Sequence, residues 1–250
     1  MNEPRTPLVV LLHGLFGRPS DFDETVRRLP PRFPALAARL PLGRPGAESV
    51  GELADRLEEE LAGEERDLVL VGNSLGGHLA LSFTLRHPDR IRGLVLSGSS
   101  GLFERGFESG VPHRPSREWI RSRVTEVFHS PAFVSESLVE EVAATFSDRR
   151  RALALVRLAR DTKQDHLASS LGNVRAPSLL LWGAEDRITP PEVARRFLDL
   201  LPSSRLFFVP EAGHAPMIER PSVFAFHLSS FLNDLSPERR PSRRLLEEAA

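Results

Sequence analysis

The 250-residue chain contains no cysteine and no tyrosine, and Lys163 is its only lysine, so nearly all of its cations are arginines. Each absence removes a chemistry. Without thiols there is no thiolate nucleophile, no disulfide and no sulfur ligand for a metal. Without phenols there is no tyrosine acid or base, and arginine stays protonated at ordinary pH. Candidate bases reduce to His, Asp and Glu. Long apolar runs are missing as well. The first, Leu8-Val9-Val10-Leu11-Leu12, ends at His13-Gly14, whereas a membrane span needs about 20 residues. Neither a signal peptide nor a membrane span is expected, and a cytoplasmic location is the default expectation. Charge of one sign is not in excess: 33 Lys+Arg stand against 34 Asp+Glu. That balance gives no electrostatic case for a nucleic-acid or membrane partner.

What is present is an ordinary globular composition, 40% hydrophobic and 27% charged. A chain of this length buries about 70 to 75% of the surface its unfolded form exposes, enough for a core without a disulfide or metal staple. Short β-type apolar runs alternate with helical patterns. After the first run comes a helix over residues 21–29 with Ser20 as its N-cap, then a weaker strand within residues 34–40. Val50, Leu53, Leu57 and Leu61 recur at spacings of three and four, one apolar stripe on a helix of about four turns. Residues 68–71 form a strand apolar on both faces, as parallel sheets require. A helix follows over residues 75–87, and residues 94–96, 179–181 and 206–209 supply further strands, with helices near 191–201 and 222–235. The expected class is α/β, a mostly parallel sheet of about six strands with helices on both faces.

The alternation breaks over residues 101–172, where helical patterns follow one another: Ser116 ahead of Trp119, Ile120, Val124 and Phe128, then Leu138, Val142 and Phe146, then residues 149–163. A helical insertion between two strands of an open sheet has the place of a lid over the strand ends. The expected organisation is a core of residues 1–100 and 173–235, a lid of 101–172, and a polar tail of 236–250 broken by Pro237 and Pro241.

The chemistry begins after residues 68–71 with Gly72-Asn73-Ser74-Leu75-Gly76-Gly77. This is GxSxG between a strand and a helix. There the serine sits on a sharp turn, the glycines admit close passage of strand and helix, and the Leu75 N–H points at any oxygen bound beside the serine. The first strand runs into His13-Gly14-Leu15-Phe16-Gly17, whose Leu15 N–H, or failing that Phe16 N–H, is a second donor for the same oxygen. The His13 side chain itself is expected to be structural. A serine needs a base, and the base an orienting acid. Residues 179–181 lead into Trp182-Gly183-Ala184-Glu185-Asp186, two carboxylates on one loop, and residues 206–209 lead into Pro210-Glu211-Ala212-Gly213-His214. Parallel strands end on one side, so Ser74, one carboxylate and His214 converge.

HGLFG at 13, GNSLGG at 72, WGAEDRITP at 182 and GHAPMIERP at 213 resemble, in order and spacing, the motifs of the α/β hydrolase family, over residues 8–235. The resemblance implies an α/β hydrolase fold with Ser74 as nucleophile, His214 as base and then acid, and Asp186 as the orienting carboxylate, with Glu185 the competing choice. The chain departs from the family in lacking room for an initial hairpin before residue 8, so six parallel strands are expected where relatives have eight. A cofactor-independent serine hydrolase follows, acting on a small-molecule carboxylic ester, with Phe16 and Trp119 as candidate substrate-binding residues and no metal or other cofactor. Asn73 also fits carbon–carbon bond hydrolases of ring-cleavage products. His78 stands where a related menaquinone-pathway lyase usually has Arg, and a ligand receptor without turnover is a further class. His78, His87, His113, His129, His166 and His227 show no metal-binding spacing. Arg114, Arg117, Arg121 and Arg123 around Trp119 form either an anion site or a solvated helix face.

Overall fold

The structure is a computed structural model that describes residues 6–103 and 115–235. Six strands, β1 (Leu8–Leu12), β2 (Ala35–Ala37), β3 (Leu68–Asn73), β4 (Ile91–Ser97), β5 (Ser178–Gly183) and β6 (Ser204–Val209), form one sheet in the order β2-β1-β3-β4-β5-β6. Every neighbouring pair is parallel. β1 shows why its run is apolar throughout. Leu8, Val10 and Leu12 enter the core on one face and Val9 and Leu11 the core on the other, so period-two alternation has no polar face to display.

Helices α2 (Val50–Glu60), α3 (Leu75–Arg86) and α7 (Pro191–Leu200) cover the first face, and α1 (Asp23–Arg28) and α9 (Pro221–Asp234) cover the second. Ser49 caps α2 by accepting the Glu52 N–H at 3.1 Å. This helix is about three turns long, shorter than the stripe of leucines suggests, because Leu61 packs from the C-cap position. The helix start expected at Ser20 is different. Residues Pro19–Phe22 form a 3₁₀ turn, α1 begins at Asp23, and Ser20 caps nothing. Asp21 instead reaches back within the 3₁₀ turn and accepts the Arg18 N–H at 2.9 Å, and the N-cap position of α1 falls to Phe22, which has no capping side chain.

Between β4 and β5 lie α4 (Arg117–Val127), α5 (Glu136–Ser147) and α6 (Arg149–Gln164), capped by Ser116, Ser135 and Asp148. α6 is fastened to the core at the start of α2, where Asp161 accepts the Val50 N–H at 2.7 Å and Arg157 pairs with Glu48 at 2.7 Å. Arg114 and residues 236–250 lie outside the described residues. No helix among the described residues is long and apolar enough to cross a membrane.

Each helix-terminal donor satisfied by a carboxylate contributes about 0.5–2 kcal/mol. Asp161→Ala is expected to cost about 1 kcal/mol of stability and to release α6 first, seen by hydrogen exchange as lost amide protection in α6 while the sheet keeps its own.

Candidate active site

The strand order reverses direction between β1 and β3, and in open α/β sheets the crevice at such a switch, outside the strands' carboxyl ends, binds ligands. Ser74 stands there, between β3 and α3, with φ 56° and ψ −121°. A non-glycine residue at positive φ costs about 1–3 kcal/mol and persists only where its surroundings enforce it. They do: the Ser74 N–H donates to the Ser97 carbonyl at 3.0 Å, and the Ser74 carbonyl accepts the Gly77 and His78 N–H groups at 2.9 and 3.1 Å. A Cβ at Gly72 would land on the Gly76 carbonyl, and one at Gly76 on the Leu12 carbonyl. The glycines of GxSxG are thus steric requirements of the crossing.

The loop after β1 lies directly against this turn. A Cβ at Gly14 would meet Ser74 Cβ at 3.2 Å, and the Gly17 N–H closes the loop onto the Gly14 carbonyl at 3.0 Å. The Leu15 N–H has no acceptor among the described residues, and Leu75, as the first residue of α3, has an N–H with no acceptor within its own helix. His13 is buried with Nδ1 at 2.9 Å from the Gly14 carbonyl, and desolvation pulls its pKa down. It is a turn residue, as expected.

His214 and Asp186 meet at this rim. Asp186 is 3% exposed and His214 6%. The Asp186 Oδ2 lies 2.9 Å from His214 Nδ1, and the other oxygen, Oδ1, accepts the Ile188 and Thr189 N–H groups at 2.8 and 2.9 Å. The Thr189 hydroxyl donates to Oδ2 at 2.9 Å and stands 3.3 Å from His214 Nδ1. Glu185 serves the same loop differently: its Oε2 accepts the Ala212 N–H at 2.9 Å, bracing the chain just before His214. Asn73, next to the serine, donates from Nδ2 to the His214 carbonyl at 2.8 Å and to the Ser97 carbonyl at 3.0 Å, tying the serine turn to the histidine loop. A Cβ at Gly98 would lie 2.7 Å from His214 Nδ1 and 3.1 Å from Asp186 Oδ2, so only glycine fits beneath the pair.

Phe16 and Trp119 are brought together through a third ring. Phe146 of α5 packs 5.9 Å from Phe16 and edge-on to Trp119 at 6.3 Å, joining the loop after β1 to the inserted helices. Arg117 and Arg121 reach Glu136 and Glu140 across α4 and α5, and Arg123 pairs with Glu126, which is the solvated-face alternative. His78, one turn after Ser74, is fully buried. Its Nε2 lies 3.0 Å from Asp165 Oδ2, and Nδ1 has no hydrogen-bond partner among the described residues. Desolvation pushes its pKa down, against the opposing pull of Asp165. His78 anchors the chain after α6 to α3. No metal-binding cluster of His, Asp or Glu occurs among the described residues.

The sequence reading missed Thr189 and Glu219. Thr189 carried a signal, a hydroxyl three residues after an acid in a turn. Glu219 lies within the GHAPMIERP motif, but its partners are distant in sequence.

The model of the alpha/beta hydrolase family matches residues 9–225. The chain belongs to this family. It is 27% identical over 250 residues to an uncharacterized hydrolase, YugF, of Bacillus subtilis (strain 168), across 92% of this chain and 91% of the relative. It is also 31% identical to the 2-hydroxymuconate semialdehyde hydrolase of Pseudomonas putida, across 65% of this chain and 61% of that protein. A crystal structure of a membrane phospholipase A, a bacterial virulence factor, superposes with a TM-score of 0.80 at 25% identity, across 94% of this chain and 81% of that one. As a member of this family the protein is a hydrolase with the α/β hydrolase fold.

Two outcomes follow. Gly76→Ala drives a methyl into the Leu12 carbonyl and is expected to cost about 3 kcal/mol or more, or to prevent folding, as read by urea denaturation. His13 and His78 are held neutral by burial, with folded-state pKa values below the ordinary 6.5. The unfolded chain therefore takes up their protons first as pH falls, so stability declines below about pH 6.5. Denaturation midpoints at pH 7.5 and 5.5 should show that decline, and His78→Gln should shrink it.

Proposed function

We propose that this hydrolase cleaves carboxylic esters through an acyl-enzyme on Ser74. The observation that carries the proposal is the buried 2.9 Å contact between Asp186 and His214 Nδ1, tied through Asn73 to the strained turn that presents Ser74. With its Nδ1–H donated to the carboxylate, the imidazole uses Nε2 as the base. His214 takes the Ser74 hydroxyl proton while Oγ attacks the acyl carbon, and the Leu15 and Leu75 N–H groups receive the oxyanion. The protonated imidazole then gives its proton to the departing alcohol. Water repeats the sequence, losing a proton to His214 and releasing the acid and the free serine. Each oxyanion donor contributes about 10²- to 10³-fold in rate.

The inserted helices act in this proposal as a lid, and the Phe16–Phe146–Trp119 contacts, which join it to the loop after β1 through apolar rings, support a small or medium, partly apolar acyl or alcohol group. A phospholipase among the structural neighbours supports ester chemistry on this scaffold. Carbon–carbon hydrolysis of a ring-cleavage product is the second reading, favoured by the 31% identity to the Pseudomonas putida hydrolase. Asn73 does not add weight to it, because its amide hydrogens go to backbone carbonyls.

On short p-nitrophenyl esters, Ser74→Ala should lower kcat/KM by about 10³-fold or more; a retained rate would remove the serine mechanism. Asp186→Asn should cost about 10⁴-fold by leaving the imidazole in the wrong tautomer, against less than about 10-fold for Glu185→Gln, and the reverse order would reassign the acid. A ring-cleavage dienoate turned over much faster than any ester would select the second reading.

A further inference from the structure

Three successive backbone N–H groups lead up to the imidazole, and each is accepted by a different element. The Ala212 N–H goes to Glu185 after β5. The Gly213 N–H goes to Glu219 Oε2 at 2.6 Å, and the His214 N–H goes to the Val127 carbonyl, the last residue of α4, at 2.7 Å. Glu219 stands at the end of α8 (Pro216–Glu219) and is 5% exposed. Its second oxygen, Oε1, accepts the Ser130 N–H at 3.0 Å, from the turn that follows α4. One buried carboxylate therefore holds the histidine loop with one oxygen and the inserted helices with the other.

The two segments it joins are in direct contact. A Cβ at Gly213 would lie 2.7 Å from both the His129 nitrogen and the Val127 carbonyl oxygen and 2.9 Å from the Phe128 carbonyl carbon. Next to Glu219, Arg220 donates to the Glu211 carbonyl at 3.3 Å and pairs with the Glu211 carboxylate, fixing a residue at φ 54° where the loop leaves β6. Buried carboxylates are costly unless every oxygen is satisfied, and Glu219 meets that condition only while residues 127–130 stay seated on the histidine loop.

We infer that Glu219 is a positioning residue for His214: by holding Gly213 and Ser130 together it fixes the imidazole and makes its alignment depend on the seating of the turn after α4. The inference rests on His214 being the base. A glutamine here keeps the size and offers one acceptor oxygen for two N–H donors, so one bond is lost and an amide donor faces a backbone donor. Displacements of about 1 Å produced away from the chemistry cost about 10²-fold in rate.

The test begins with wild-type protein titrated with a fluorophosphonate, which must label Ser74; failure to label with no ester turnover would remove the serine reading itself and leave Glu219 without a base to position. With labelling established, Glu219→Gln is expected to reduce kcat per titrated site by about 10- to 100-fold with KM within about twofold, and to slow fluorophosphonate labelling in parallel. Glu219→Asp, too short to span both donors, should give a similar kcat loss. If Glu219 only stabilises the fold, the variants would show fewer titratable sites or a lower Tm at wild-type kcat per site, and that result would overturn the inference. Should glutamine prevent folding, the aspartate variant decides by the same measurement.

Discussion

The closeness with which α3 crosses β1 and β3 governs everything at the rim. Gly72 and Gly76 leave no room for a Cβ, and the crossing they permit forces Ser74 into its positive-φ turn. Any wider separation would let the turn relax and swing the hydroxyl away. The strain of about 1–3 kcal/mol is held in place by backbone hydrogen bonds from Ser74 to residues 77, 78 and 97, with the sheet core beneath. Stability built elsewhere in the sheet is thereby spent on presenting one hydroxyl.

A second constraint is backbone accounting around His214. The loop carrying it has few apolar side chains to pack, so its position is set by where its N–H and C=O groups find partners. Those partners come from the loop after β5, from α8, from α4 and, through Asn73, from the serine turn. The imidazole is thus located relative to four parts of the chain at once. This is how Asn73, beside Ser74, stays bonded to the His214 carbonyl across 141 positions of sequence.

Much of this was legible in the sequence, for identifiable reasons. The central strands announce themselves because burial on both faces turns them into unbroken runs such as Leu68-Val69-Leu70-Val71. The glycines around Ser74 and the loops that carry Asp186 and His214 are legible because each follows directly on an apolar strand in the chain. Ser20 misled because the chain first makes a 3₁₀ turn over Pro19–Phe22, which moves the start of α1 to Asp23 and leaves Ser20 inside the turn. α8 escaped notice because four residues carry no periodicity, and the element exists through Pro216 at its start and the tertiary bonds of Glu219. His78 could not be assigned from its place on α3, since its partner Asp165 arrives from beyond the inserted helices.

The seam between Gly213 and residues 127–130 bears on how insertions of this kind diversify. A segment that varied as a detachable cassette would meet the core only at its two entry points. Here its middle carries a carbonyl and an amide that complete the hydrogen bonding of the histidine loop. Recombination that exchanges the whole insertion for a foreign one must therefore bring a compatible turn at this place, and crossovers that leave residues 127–130 with their native core are the ones that keep the scaffold whole.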